Sequence, residues 1–135
     1  MHIDSIHSVV TLFASQHQMS SATFKDEYQA GTYQNPVQRH ERVWRNQVAF
    51  DMFFSNARHV VRIQCIRSFH RGEGWGSAGL RWLCALADKN DVVLTGVVEP
   101  CGDTRPRLTV RQLCKWYRAH GFRVRRDLIM YREPR

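Results

Sequence analysis

A chain of 135 residues has the length of one domain and can bury a core without disulfide staples. Its hydrophobic content of 43% is ordinary for a globular protein, and the lack of any apolar run long enough to span a bilayer excludes a membrane span. The net charge of +8 is carried mostly by arginine, with lysine only at Lys25, Lys89 and Lys115, and suits either plain solubility or a phosphate-bearing or otherwise acidic partner.

Ile6, Val9, Val10 and Phe13 recur at helical spacing behind Asp4 and Ser5, so a first amphipathic helix is expected to about residue 16. Residues 18–42 are polar, contain Gly31 and the Asn35-Pro36 turn signal, and read as a short strand and loop. Residues 43–54 are rich in Val, Trp and Phe. A polar turn at 55–58 separates them from an alternating run at 59–69, with Val61, Ile63 and Cys65 on one side, which predicts an antiparallel hairpin.

Next comes Arg71-Gly72-Glu73-Gly74-Trp75-Gly76-Ser77-Ala78, with glycine at every second position. Glycine is expected where backbone turns sharply or approaches something closely. Leu80, Leu83, Cys84 and Ala87 then mark a helix ending near Asn90. A glycine-rich turn that opens a helix presents free N–H groups and the positive end of the helix dipole, which together suit a phosphate. The turn lacks the Gly-Lys-Ser/Thr ending of a P-loop and fits a dinucleotide fingerprint poorly.

Residues 92–98 form a nearly continuous apolar run, as in a strand buried on both faces, and Glu99-Pro100 ends it. Thr109 and Gln112 have capping-box spacing, Val110, Leu113, Cys114 and Tyr117 form a helical stripe, and Gly121 is placed as its stop. Residues 122–124 and 128–131 read as final strands. Cys65, Cys84, Cys101 and Cys114 show no C-x-x-C spacing and no signal-peptide pattern precedes them, so free thiols in a reducing cytoplasm are expected. No metal-ligand spacing is present.

Arg71-x-x-Gly74-x-Gly76 at a strand-to-helix turn, followed by Trp116-Tyr117-Arg118-Ala119-His120-Gly121-Phe122 at a helix end, resembles the GNAT superfamily of N-acetyltransferases. The ending at 130–134 is also similar to small, phage-type members. The resemblance covers residues 59–135 and implies an α+β, three-layer fold: a central mixed, mostly antiparallel, splayed sheet flanked by helices. It implies one domain over 1–135, with residues 1–58 on the acceptor side and 59–135 as the acetyl-CoA-binding core.

The resemblance further implies acetyl-CoA as acyl donor. Its pyrophosphate would lie against Arg71, Gly72, Glu73, Gly74, Trp75, Gly76 and Ser77, and its pantetheine arm along Gln64, Cys65 and Ile66. The Ile66 N–H is the candidate donor to the thioester carbonyl. Tyr117 is the candidate acid at the cofactor sulfur, although its place on the apolar stripe also suits a core tyrosine. Glu99 leads the candidates for general base, ahead of Asp51, His59 and His70; Val60 stands where some members of the family place a base.

The expected activity is direct acetyl transfer to a primary amine: a protein lysine or N-terminus, a small amine, or aminoacyl-tRNA. The basic surface tilts this toward an acidic macromolecule, with no membrane partner and a monomer or homodimer as the working state. Two other readings compete. Residues 109–126 can be read as part of a helix-turn-helix in a nucleic-acid-binding regulator, and the fold can serve a binding protein without turnover.

Overall fold

The structure, a computed structural model, describes residues 20–34, 41–54, 59–70, 72–101 and 108–135. The helix expected over 4–16, the turn at 55–58 and Arg71 lie outside the described residues. The elements run α1 (Ser20–Ala30), β1 (Tyr33–Gln34), β2 (Glu41–Trp44), β3 (Val48–Phe54), β4 (Val60–Ser68), α2 (Trp75–Lys89), β5 (Val93–Val97), α3 (Val110–Ala119), β6 (Arg123–Val124) and β7 (Ile129–Arg132). They form one seven-stranded sheet of order β1-β2-β3-β4-β5-β7-β6 in which only β4 and β5 pair in parallel. This is the expected α+β architecture: a mixed, mostly antiparallel sheet flanked by helices.

Two stretches differ from the sequence reading. Residues 20–30 form a helix rather than a strand and loop, because Phe24 and Tyr28, one turn apart, are fully buried against Phe54, Phe50 and Trp82. Two apolar anchors in eleven residues leave almost no periodic signal; tertiary packing supplies the stability. The apolar run at 43–54 is two strands, folded at Arg45 and Asn46, whose φ values of 49° and 60° match a tight type I′-like turn closed by Gln47 N–H to Trp44 C=O at 3.0 Å. Arg45 carries this conformation with its guanidinium 4.9 Å over the Trp44 ring.

A bulge shapes the middle of the sheet. Asp51 lies opposite Cys65, but Met52 lies opposite Ile63, so Gln64 is an extra residue in β4. The bulge shifts the alternation: Ile66, not Cys65, shares the core face with Val61 and Ile63. On the other side of β4, pairing with β5 ends at Ile63 and Gly96. Gly96 permits this contact, since a Cβ there would sit 2.6 Å from the Ile63 carbonyl oxygen. Beyond that pair β5 follows β7, with Val98 N–H bound to Leu128 C=O at 2.8 Å, while β4 follows β3 as far as Ser68. The two central strands therefore diverge, leaving residues 64–68 of β4 without a β5 partner.

The helices lock the rest. Leu80, Leu83 and Ala87 of α2 are fully buried on the face expected from their spacing. The Thr109 hydroxyl accepts from Gln112 N–H and the Gln112 side chain accepts from Thr109 N–H, so the expected capping box starts α3. Gly121 leaves α3 at φ 91°, as its stop requires. At the other end of the core, Arg132 of β7 donates to both Asp88 oxygens, at 2.6 and 3.0 Å, and to the His120 carbonyl at 2.9 Å, joining the C-terminal ends of α2 and α3. Burial works against ionised Asp88, but the hydrogen bonds and charge of Arg132, with Arg135, hold its carboxyl below the ordinary value.

Candidate functional site

The glycine turn leads straight into α2 and frames a cavity of about 330 Å³. Gly72 and Gly74 have φ values of 81° and 79°, a region that side-chain-bearing residues adopt at a cost, so the turn itself requires both. Gly74 is the N-cap and supplies no capping side chain, which leaves first-turn N–H groups of α2 available to a ligand. Gly76 is different. It has helical backbone, and a Cβ there would meet nothing closer than Ser68 and Trp116, each at 3.9 Å. The fold alone does not require glycine at 76, yet that position lines the cavity.

The wall continues around the divergence of β4 and β5. Ile66, Arg67 and Ser68 contribute from the unpaired end of β4, Pro100 and Cys101 from beyond β5, and Leu113 and Trp116 from α3. Trp116 Nε1 donates to Ser77 Oγ at 2.8 Å, tying α3 to the first turn of α2. Arg67 donates through Nη2 to both Glu41 oxygens, at 2.8 and 3.2 Å, while its buried Nε has no hydrogen-bond partner among the described residues. The cavity thus combines helix N–H groups and the free edge of a strand with aromatic and aliphatic walls.

Of the residues singled out from sequence, Ile66, Gly72, Gly74, Trp75, Gly76 and Ser77 line this cavity. Glu73 is exposed on the turn, 3.9 Å from His70, and Gln64 is exposed at the bulge. Tyr117 and Glu99 are not in the cavity wall. Tyr117 is buried against Trp116 and Phe122, at ring separations of 4.9 and 5.2 Å, and burial, with Cys84 beside it, raises its phenol. The helix turns Trp116, one residue earlier, toward the cavity instead. Glu99 is exposed just past β5. Among the other base candidates, His59 is fully buried, Asp51 lies opposite Cys65, and His70 lines the cavity. Leu113, on the apolar stripe, was the legible signal for the far wall; Trp116 lies off that stripe and was named only within the motif of the resemblance. Arg67, Pro100 and Cys101 had none.

The cysteines require a correction. Cys65 and Cys101 are joined in a disulfide, while Cys84 and Cys114 are free and buried, the Cys84 thiol being pushed up to about 11 by burial. A separation of 36 residues gives no local spacing to read; the bond exists because β4 and β5 bring both residues past their last shared pair. The helix-turn-helix reading also meets a correction: after α3, Gly121 turns the chain into strand β6, not a second helix. Among the described residues, no group of His, Cys, Asp and Glu is placed to hold a metal ion, and no helix is long and apolar enough to cross a membrane.

No protein-family model and no curated protein matches the sequence significantly. The fold is similar to the crystal structure of the anti-CRISPR protein AcrVA5, with a TM-score of 0.53 and 14% identity over 66% of this chain and 93% of that one. At that identity the likeness concerns the fold alone.

Proposed function

We propose that this protein is an acetyl-CoA-dependent N-acetyltransferase of the GNAT type that transfers the acetyl group directly to a primary amine. The observation that carries the reading is the continuity of the cavity from the glycine turn to the diverging strands. A nucleotide pyrophosphate fits the N–H groups at Gly74 to Ser77, and the unpaired edge of β4 fits an extended amide-bearing arm, which would pair with it as an added strand. The Ile66 N–H would then polarise the thioester carbonyl. Glycine at 76, which the fold does not demand, is accounted for by close approach of the phosphates.

The proposed acceptor is an amine on an acidic macromolecule, a protein lysine or N-terminus or an aminoacyl-tRNA, in keeping with the net charge of +8. The proposed compartment is the cytoplasm. His70 is the base candidate in the cavity wall, and Tyr117 keeps its role as sulfur-side acid only if the bound donor reaches its buried hydroxyl. Calorimetry with acetyl-CoA tests the donor: binding in the micromolar range is expected with Cys65 and Cys101 reduced, and none at 1 mM in either redox state, roughly a 4 kcal/mol threshold, would sink the reading.

One observation favours a second reading, a binding protein of this fold without turnover: neither Tyr117 nor Glu99 lines the cavity. CoA release in the presence of candidate amines separates the two. An enzyme releases CoA with a true acceptor, and Tyr117→Phe lowers that rate at least tenfold if the phenol protonates the leaving sulfur.

A further inference from the structure

We infer that the Cys65–Cys101 disulfide is a redox switch on this cavity, closed to the thioester arm when oxidised and open when reduced. The inference rests on the proposal that the cavity takes acetyl-CoA. The bond crosses the gap between the diverging strands: Cys65 lies on β4 two residues past the last β4–β5 pair, and Cys101 lies four residues past the end of β5.

Cys101 itself forms part of the cavity wall, and its sulfur lies 3.8 Å from the Ile66 carbonyl oxygen. A disulfide sulfur has no proton to donate, so this is a covering contact rather than a hydrogen bond. In a strand, the N–H and C=O of one residue point to the same edge. The sulfur therefore covers the edge of β4 that carries the Ile66 N–H, the group assigned to the thioester carbonyl. An arm pairing with residues 64–66 and a cystine bridging the same gap compete for one space.

Reduction removes the bridge. A thiolate of an external dithiol attacks one sulfur, forming a mixed disulfide and releasing the other cysteine as a thiolate that takes up a proton. The second thiol of the reductant then displaces the remaining cysteine. Two protein thiols and one oxidised dithiol result. In a compartment that keeps thiols reduced, a disulfide is ordinarily transient and regulatory, which is the behaviour expected of a switch. Cys84 and Cys114, buried elsewhere in the core, take no part.

The test compares oxidised wild type, wild type reduced with a phosphine, and Cys101→Ser with and without the phosphine. Alkylation after denaturation sets the redox state: of the four cysteines, two are modified in the oxidised chain and four in the reduced one. Calorimetry with acetyl-CoA should show binding at least tenfold tighter for the reduced chain and for Cys101→Ser, with the phosphine making no difference to the variant. Equal affinity of the oxidised and reduced wild type overturns the switch and leaves the acetyl-CoA reading intact, as does air-oxidised protein in which all four cysteines alkylate. If no form binds acetyl-CoA, the donor reading falls, and amide exchange decides the switch. Faster exchange at residues 64–66 and 97–101 on reduction sustains it for another ligand; unchanged exchange there overturns it.

Discussion

Gly76→Ala separates what the fold needs from what a ligand needs. The added methyl meets only ordinary contacts at 3.9 Å and the backbone there is helical. Alanine is favoured over glycine by about 1 kcal/mol in a helix interior, so about 0.5 kcal/mol is reasonable in a first turn. With an unfolding entropy of about 0.28 kcal/mol/K for a chain of 135 residues, the melting temperature should rise by about 2 °C. Acetyl-CoA binding should move the other way. A methyl between the helix N–H groups and a phosphate weakens charge-assisted hydrogen bonds worth about 1.5–3 kcal/mol each, so a loss of about 2 kcal/mol, or about 30-fold in Kd, is expected. Calorimetry and a thermal melt on the same preparation read both effects. Unchanged affinity would refute the phosphate approach at residue 76, and a fall of several degrees in Tm would show that the fold required the glycine after all. Gly74→Ala supplies the contrast: at φ 79° it should lose about 1–2 kcal/mol of stability through the backbone alone.

Other expectations follow from the same geometry. Gly96→Ala places a carbon 2.6 Å from the Ile63 carbonyl and should cost roughly 1–3 kcal/mol by urea denaturation, because strands β4 and β5 must separate at their last pair; a neutral result would contradict that close approach. Asp88→Asn should lower stability by about 2–3 kcal/mol at pH 7, since it leaves the buried Arg132 guanidinium without its counter-charge while Asp88 itself is partly solvated. The Asp88 carboxyl titrates lower in the folded chain than in the unfolded one, where it sits near about 3.9. Its stabilisation is therefore complete above that value and lost as pH falls through the folded pKa, and acid melts of Asp88→Asn should lack this component. His120 is opposed in its charged form by burial and then by Arg81 and Arg132, so its folded pKa is depressed. Stability should decline as pH falls below about 6.5, and His120→Gln should flatten that part of the profile.

The glycine turn, the α2 and α3 stripes, the capping box and the Gly121 stop were all legible in the sequence, because each is a local pattern in which neighbours along the chain are the interacting partners. The face of α3 that meets the cavity was legible only in part. Val110, Leu113, Cys114 and Tyr117 mark an apolar stripe, but no spacing says whether Trp116 or Tyr117 borders the ligand space. That depends on how α3 rolls against α2, where the Trp116–Ser77 hydrogen bond holds it.

What the tertiary structure alone decided has a common physical origin in contacts between residues far apart in the chain. Residues 20–30 are helical because Phe24 and Tyr28 find Phe50, Phe54 and Trp82. Ile66 faces the core because one extra residue in β4 shifts its register against β3. Cys65 meets Cys101 because a parallel crossover of three dozen residues returns the chain beside β4. The sequence by itself determined an α+β chain with a phosphate-suited turn at the start of a helix. Only the assembled sheet decided that this turn opens onto diverging strands, and that a disulfide spans the gap between them.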